Sequence, residues 1–271
     1  MSKQGTAVVT GASSGIGAEY ARRLAARGQD VVLVARRAAR LEKLATELRT
    51  AGVAVEVLVA DLADPADVAR VVSRVGAQDV TLLVNSAGIN GYGRFGEVDP
   101  EVVAKVVAVN VTALTLLTHA AVVGMRARGR GAVVNVASLL AFAGKLPPGP
   151  LPARATYGGS KGYVVTFSRT LAAELEGSGV TVQVLCPGMA ATEFHVSADG
   201  EPVTDEAGSD APHPLAMSAH DVVQASLVGL AGGEVLVAPG LLDDAAMQVL
   251  VAAESGLRSA SLPGLAPRYR S

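Results

Sequence analysis

Seven short apolar runs, at 6–10, 30–35, 53–60, 80–85, 131–137, 180–186 and 234–238, recur along the chain. Amphipathic stretches of helical length stand between them, at 15–27, 37–51, 65–75, 101–128 and 157–176. The apolar runs are almost continuously hydrophobic rather than alternating with polar residues. Strands of that kind must be covered on both faces, which is the situation of a parallel sheet. Parallel neighbours need a long crossover, and the helical stretches supply it. The sequence therefore predicts one α/β domain over 1–271. Its expected form is a doubly wound, Rossmann-type parallel sheet of about seven strands with helices on both faces.

Composition narrows the class. A chain of 271 residues, half of them apolar, can bury a large core. The densest apolar stretch, 102–123, is interrupted by Lys105, Asn110 and His119. No run is expected to span a membrane, and this stretch is expected to be a helix buried on more than one side. A formal net charge of −2 leaves no footprint for nucleic acid. Cys186 stands alone, so no internal disulfide can form, and it reads as a small core residue in a reducing cytoplasm. Met1-Ser2-Lys3-Gln4 runs straight into the first apolar run, so no signal peptide is expected and a soluble, cytoplasmic location is.

Two segments break the rhythm. Residues 144–154 carry four prolines and cannot form a regular helix or a central strand. Residues 196–214 carry Asp199, Glu201, Asp205, Glu206 and Asp210 with no Lys or Arg, and read as an exposed loop. The segments near 144–154 and 193–216 are expected to wall a substrate pocket, with Lys145, Arg154 and His195 as candidate polar contacts.

Gly11, Gly15 and Gly17 follow the first run and open the first helical stretch. Glycine allows a tight turn and a close approach of backbone to a pyrophosphate, and a helix N-terminus presents N–H groups to it. The second run ends Ala35-Arg36-Arg37, without the acidic residue that grips a ribose 2′-hydroxyl. Arginine suits a 2′-phosphate instead, so NADP(H) is expected in preference to NAD(H).

Tyr157 and Lys161 stand four residues apart and share one helix face. An ammonium beside a phenol favours phenolate and is expected to lower the tyrosine pKa. Such a tyrosine can give or take the proton that accompanies hydride transfer at a carbonyl or alcohol. Together with Ser138 and the glycine turn, this reads as an oxidoreductase.

In order, the motifs are T-G-A-S-S-G-I-G at 10–17, Asp61-Leu62, Asn85-Ser86-Ala87-Gly88, Asn110, Ser138, Tyr157-x-x-x-Lys161, and Pro187-Gly188 with Thr192. On these the chain resembles the short-chain dehydrogenase/reductase family, and within it the bacterial reductases of broad specificity. The resemblance implies a catalytic set of Asn110, Ser138, Tyr157 and Lys161. Tyr157 would be the general acid in reduction, Lys161 would tune it and bind the nicotinamide ribose, Ser138 would polarise the substrate oxygen, and Asn110 would hold a relay water. It implies cofactor contacts from Gly11, Ser13, Ser14, Gly15, Ile16, Gly17, Arg36, Arg37, Asp61, Leu62, Asn85, Ala87, Gly88, Tyr157, Lys161, Pro187, Gly188 and Thr192, and no metal. It also implies a small carbonyl or alcohol substrate and a homodimer or homotetramer paired through the helices near 101–128 and 157–176. Two alternatives remain: a redox-neutral dehydration or epimerisation on the same fold, and a dinucleotide-sensing protein without catalysis. The spacing from Ser138 to Tyr157 exceeds the family's usual dozen residues, which places an insertion at the pocket rim. Gly158-Gly159 weakens the first turn of the helix that carries Tyr157.

Overall fold

The computed structural model describes residues 5–144, 153–190, 216–243, 245–260 and 269. It divides into two units, Met1–Pro239 and Gly240–Ser271. The first contains a seven-stranded parallel sheet: β1 Thr6–Thr10, β2 Asp30–Ala35, β3 Val55–Val59, β4 Val80–Asn85, β5 Gly131–Val136, β6 Val180–Leu185 and β7 Leu236–Val237. The spatial order is β3-β2-β1-β4-β5-β6-β7, and every pair is parallel. β1 lies between β2 and β4, so the connections run outward in opposite directions from this point. The carboxyl ends of β1 and β4 thus open the crevice where such sheets bind ligands.

The helices of this unit are α1 Gly15–Ala26, α2 Ala38–Arg49, α3 Pro65–Val75, α4 Pro100–Val107, α5 Leu114–Arg128, α6 Ala155–Glu174 and α7 Ala219–Ala231. The unit Gly240–Ser271 contains α8, Ala245–Ser259. Alternate side chains of each strand feed opposite faces. Ala7, Val9, Val31 and Leu33 join Leu24, Leu41 and Val222 in one buried cluster. Val8, Val32, Val34 and Leu83 join Val71, Leu117 and Met125 in another. A smaller cluster of Leu114, Val164, Val165, Val184 and Cys186 seats α6.

Local signals place the element ends. Asp64 and Asp99 accept the backbone N–H groups of Ala66 and Glu101 at 2.8 Å, each followed by a proline in the first turn. α5 stops at Gly129, whose φ of 65° is left-handed. The expected strands 53–60 and 234–238 shorten to β3 and β7, the two edges, because each has a neighbour on one side only. The expected continuous helix over 101–128 is interrupted: α4 passes into a π-helical segment, Ala108–Ala113, and then into α5.

The expectation that no run could span a membrane needs correction. Taken together, α4, the π-helical segment and α5 form a stretch, Pro100–Arg128, that is long and apolar enough to cross a membrane by length and composition alone. The interrupting polar residues are too few to lower its hydropathy. Its residues Val106, Val109, Ala113, Leu117, Ala121 and Met125 are buried in this fold, and α5 packs on β4, β5 and α3.

Candidate active site

The turn after β1 is held by a buried hydroxyl. Thr10 Oγ1 accepts the backbone N–H groups of Ser86 at 3.0 Å and Ala87 at 3.1 Å, tying the loop after β4 to the end of β1. Gly11 is required there: its φ is 69°, and a Cβ would sit 2.9 Å from the Ala87 backbone. A Cβ on Gly17 would overlap the Gly11 carbonyl, so this glycine brings α1 against the turn.

The residues present fit a dinucleotide phosphate. α1 has neither a side-chain cap nor an acidic residue in its first turn, which leaves the orphan N–H groups of Gly15 to Gly17 and the positive end of the helix dipole for an anion. Arg37 folds back over the same turn. Its Nε and Nη2 donate to Ser13 Oγ at 3.0 and 2.9 Å, and Nη2 donates to Ser14 Oγ at 2.6 Å. A guanidinium and two hydroxyls therefore converge at the end of β2. Arg36 is exposed beside them.

Around the switch point the remaining residues divide. Asp61 Oδ1 accepts the N–H of Ala63 at 3.0 Å, while its own N–H goes to Asp67 Oδ2 at 2.7 Å, so the turn after β3 is fixed. Leu62 belongs to the buried cluster that includes Val34, Ala60 and Val68. Ile16 packs partly buried against the core under α1. The Asn85 side chain turns away from the crevice: its Nδ2 donates to Thr118 Oγ1 at 3.0 Å and Asn135 Oδ1 at 2.9 Å. What faces the turn is the backbone of Ser86 and Ala87. Pro187 is buried and Gly188 exposed, and the Pro187 carbonyl accepts from Leu139 N at 2.9 Å. Thr192, Lys145 and His195 lie outside the described residues, as do most of 144–154 and all of 196–214.

Ser138 follows β5 and caps a short 3-10 turn, Leu139–Phe142, its Oγ accepting from Leu140 N at 3.1 Å. It also hydrogen-bonds Tyr157. Tyr157 and Lys161 occupy successive turns on the inner face of α6, both nearly fully buried. Lys161 Nζ donates to the Val136 carbonyl at 2.8 Å and lies 5.6 Å from the centre of the Tyr157 ring.

The expected acidification of Tyr157 is not what this geometry gives. Burial pushes the Tyr157 pKa up, the neighbouring Tyr92 hydroxyl adds to the rise, and only the Ser138 hydrogen bond opposes it. Desolvation disfavours the phenolate, and the Lys161 ammonium is engaged by the Val136 carbonyl. Burial likewise draws Lys161 down, from 10.5 to about 8. Burial also pushes the Cys186 thiol up to about 12, so it stays neutral where the lysine titrates. At neutral pH the site holds a protonated phenol.

Asn110 lies in the π-helical segment, fully buried. It clamps one residue of the loop after β4: Ile89 N donates to Oδ1 at 3.0 Å, and Nδ2 donates to Ile89 O at 2.9 Å. Nδ2 also reaches Ser160 Oγ at 3.1 Å, and Ser160 Oγ donates to the Tyr157 carbonyl at 2.7 Å. The amide thus joins the β4 loop to α6. The sequence reading missed Thr10, Ser160 and Tyr92. Thr10 opens the glycine motif and Tyr92 sits between two glycines, which were the available signals.

The short chain dehydrogenase family matches residues 5–201. The chain belongs to the short-chain dehydrogenase family. Among its relatives is a Streptomyces violaceoruber protein described as a granaticin polyketide synthase putative ketoacyl reductase, 40% identical over 69% of this chain and 68% of its own. A galactitol 2-dehydrogenase from Cereibacter sphaeroides is 41% identical over 69% of this chain and 72% of its own. A Sphingobium yanoikuyae short-chain dehydrogenase solved with NADPH superposes with a TM-score of 0.88 at 38% identity, covering 98% of this chain and all of its own. The bulky-bulky ketone specific alcohol dehydrogenase of Comamonas testosteroni superposes with a TM-score of 0.88 at 31% identity, with full coverage of both chains. This short-chain dehydrogenase is thus an oxidoreductase acting on CH–OH groups, with a small-molecule substrate.

Proposed function

We propose that the enzyme reduces a carbonyl to a primary or secondary alcohol, and reverses that reaction, with NADP(H) preferred and Tyr157 as general acid and base. The observation that carries the reading is the buried Tyr157 hydroxyl, bonded to Ser138 and one helical turn from Lys161, at the carboxyl edge of the sheet. The dinucleotide, when bound, supplies or accepts the hydride. Gly15 to Gly17 would hold its pyrophosphate at the start of α1. Arg37, with Ser13 and Ser14, would take the 2′-phosphate, which supports NADP(H) because no acid competes at the end of β2.

Burial keeps the Tyr157 proton in place near neutral pH, and a phenol that holds its proton suits donation to a carbonyl oxygen. In that step the carbon–oxygen π bond opens, a C–H bond forms with the incoming hydride and an O–H bond forms with the Tyr157 proton. Ser138 holds the same oxygen and shares its developing charge. Lys161, drawn down to about 8, can exchange a proton near physiological pH and restore the phenol.

A homo-oligomer is part of the same reading. Val107, Leu116 and Val123 are exposed along α4 and α5, and on α6 Tyr163 stacks on Phe167 with ring centres 5.6 Å apart. Light scattering at low micromolar concentration checks it, and a monomer there would count against it.

The test of the chemistry is a panel of small and bulky ketones and aldehydes, followed through NADPH absorbance. Tyr157→Phe should lower kcat/KM about 10²- to 10⁴-fold, while NADPH binding measured by fluorescence changes less than threefold. Turnover retained by Tyr157→Phe would overturn the assignment.

A further inference from the structure

Facing Tyr157 is a second tyrosine. The rings of Tyr92 and Tyr157 meet edge to face, with centres 5.5 Å apart and planes 80° apart. Local backbone conformation builds this contact. Tyr92 lies in the loop after β4, between Gly91 and Gly93, whose φ values of 54° and 144° both lie where side chains are strained. A Cβ on Gly91 would sit 2.5 Å from Val106 Cγ2, and one on Gly93 2.6 Å from Val98 Cγ2. Two glycines are therefore needed to fold the loop onto α4 and swing the intervening ring inward.

Both ends of the bend are tied to the catalytic elements. Before it, Asn110 holds the N–H and C=O of Ile89. After it, Gly93 N donates to the Ala153 carbonyl at 2.8 Å, directly ahead of α6. The loop is thus anchored to the π-helical segment on one side and to the root of the Tyr157 helix on the other. Gly158 and the exposed Gly159 follow Tyr157, so its own helix gives it less rigidity than most would. A ring packed against the phenol supplies the missing restraint.

We infer that Tyr92 is a positioning residue for Tyr157: its ring fixes the plane and reach of the catalytic phenol. The inference deepens the proposed function and rests on it for the role of Tyr157. Edge-to-face packing favours one relative orientation of two rings over others, beyond what burial alone does. Tyr92 keeps its own proton at neutral pH, since burial pushes its hydroxyl up to about 12 even with the Arg154 charge pulling it down. It is the ring, then, that does the positioning.

The experiment compares Tyr92→Leu and Tyr92→Phe with the wild-type enzyme, with Tyr92→Met as a second ring-less variant. Folding is checked by circular dichroism, turnover by NADPH absorbance, and the Tyr157 ring by NMR of ¹³Cζ-tyrosine protein assigned with Tyr157→Phe. Tyr92→Leu should lower kcat about 10- to 100-fold, the scale of a small misplacement of a catalytic group, while KM and NADPH affinity stay within threefold. The Tyr157 signal should move. Tyr92→Phe, which keeps the ring, should recover kcat to within threefold and return the signal. A folded Tyr92→Leu or Tyr92→Met protein with kcat within twofold of wild type and an unmoved Tyr157 signal would overturn the inference. If the wild-type enzyme reduces no carbonyl tested, the functional reading fails, and the NMR comparison alone decides for or against Tyr92.

Discussion

Replacing Lys161 with methionine should make this enzyme more stable at neutral pH while ending its turnover. The amine is only 4% exposed and has moved from 10.5 down to about 8, chiefly because burial disfavours its charge. At about 1.4 kcal/mol per pH unit, keeping it protonated in the folded state costs about 3 kcal/mol below pH 8. A thioether at this position would remove that cost but leave the Val136 carbonyl without its 2.8 Å donor, a loss of about 1 kcal/mol. Lys161→Met should therefore gain about 2 kcal/mol at pH 7. The sign reverses the usual lysine case. Between pH 8 and 10.5 the unfolded chain still binds the proton and the folded enzyme has released it, so wild-type stability rises with pH in this window. By pH 9.5 the wild type should have recovered about 2 kcal/mol, and the advantage of the variant should have vanished. Cys186 and the buried tyrosines titrate in both proteins and largely cancel in the difference. Urea unfolding of both proteins at about pH 7, 8.5 and 9.5 reads this directly. A variant less stable at pH 7, or a difference that ignores pH, would refute the reasoning.

Arg37→Ala should weaken NADPH binding about 10- to 100-fold, the value of charge-assisted hydrogen bonds at an exposed site, and leave NADH within threefold; parallel fluorescence titrations check it. Asn110→Ala strips two partners from the partly buried Ile89 backbone and should lower stability by about 1–3 kcal/mol, read as a lower midpoint in urea. Gly159 is exposed within α6, and a Cβ there would meet nothing within 4 Å. Gly159→Ala should therefore stabilise by about 0.5–1 kcal/mol, visible as a rise of about 1–3 °C in Tm.

The order of elements was written in the chain because it rests on neighbours in sequence. Continuous runs such as 31–34 cannot face water, and Pro65 behind Asp64 starts a helix whatever surrounds it. The glycine turn, Arg37 and the Tyr157–Lys161 pair were legible for the same reason: spacing alone puts each on a turn or a helix face. Contacts between distant segments settled the rest. Only the packed fold could bring Tyr92 edge-on to Tyr157, lay Asn110 along the Ile89 backbone, and turn Asn85 from the crevice toward Thr118. The charge balance at Tyr157 went the same way. Sequence spacing set a cation beside a phenol, but burial, which no local pattern measures, decided which of them gives way. Desolvation depends on everything packed around a group, so the fold fixed the protonation of the site and the chain fixed its members.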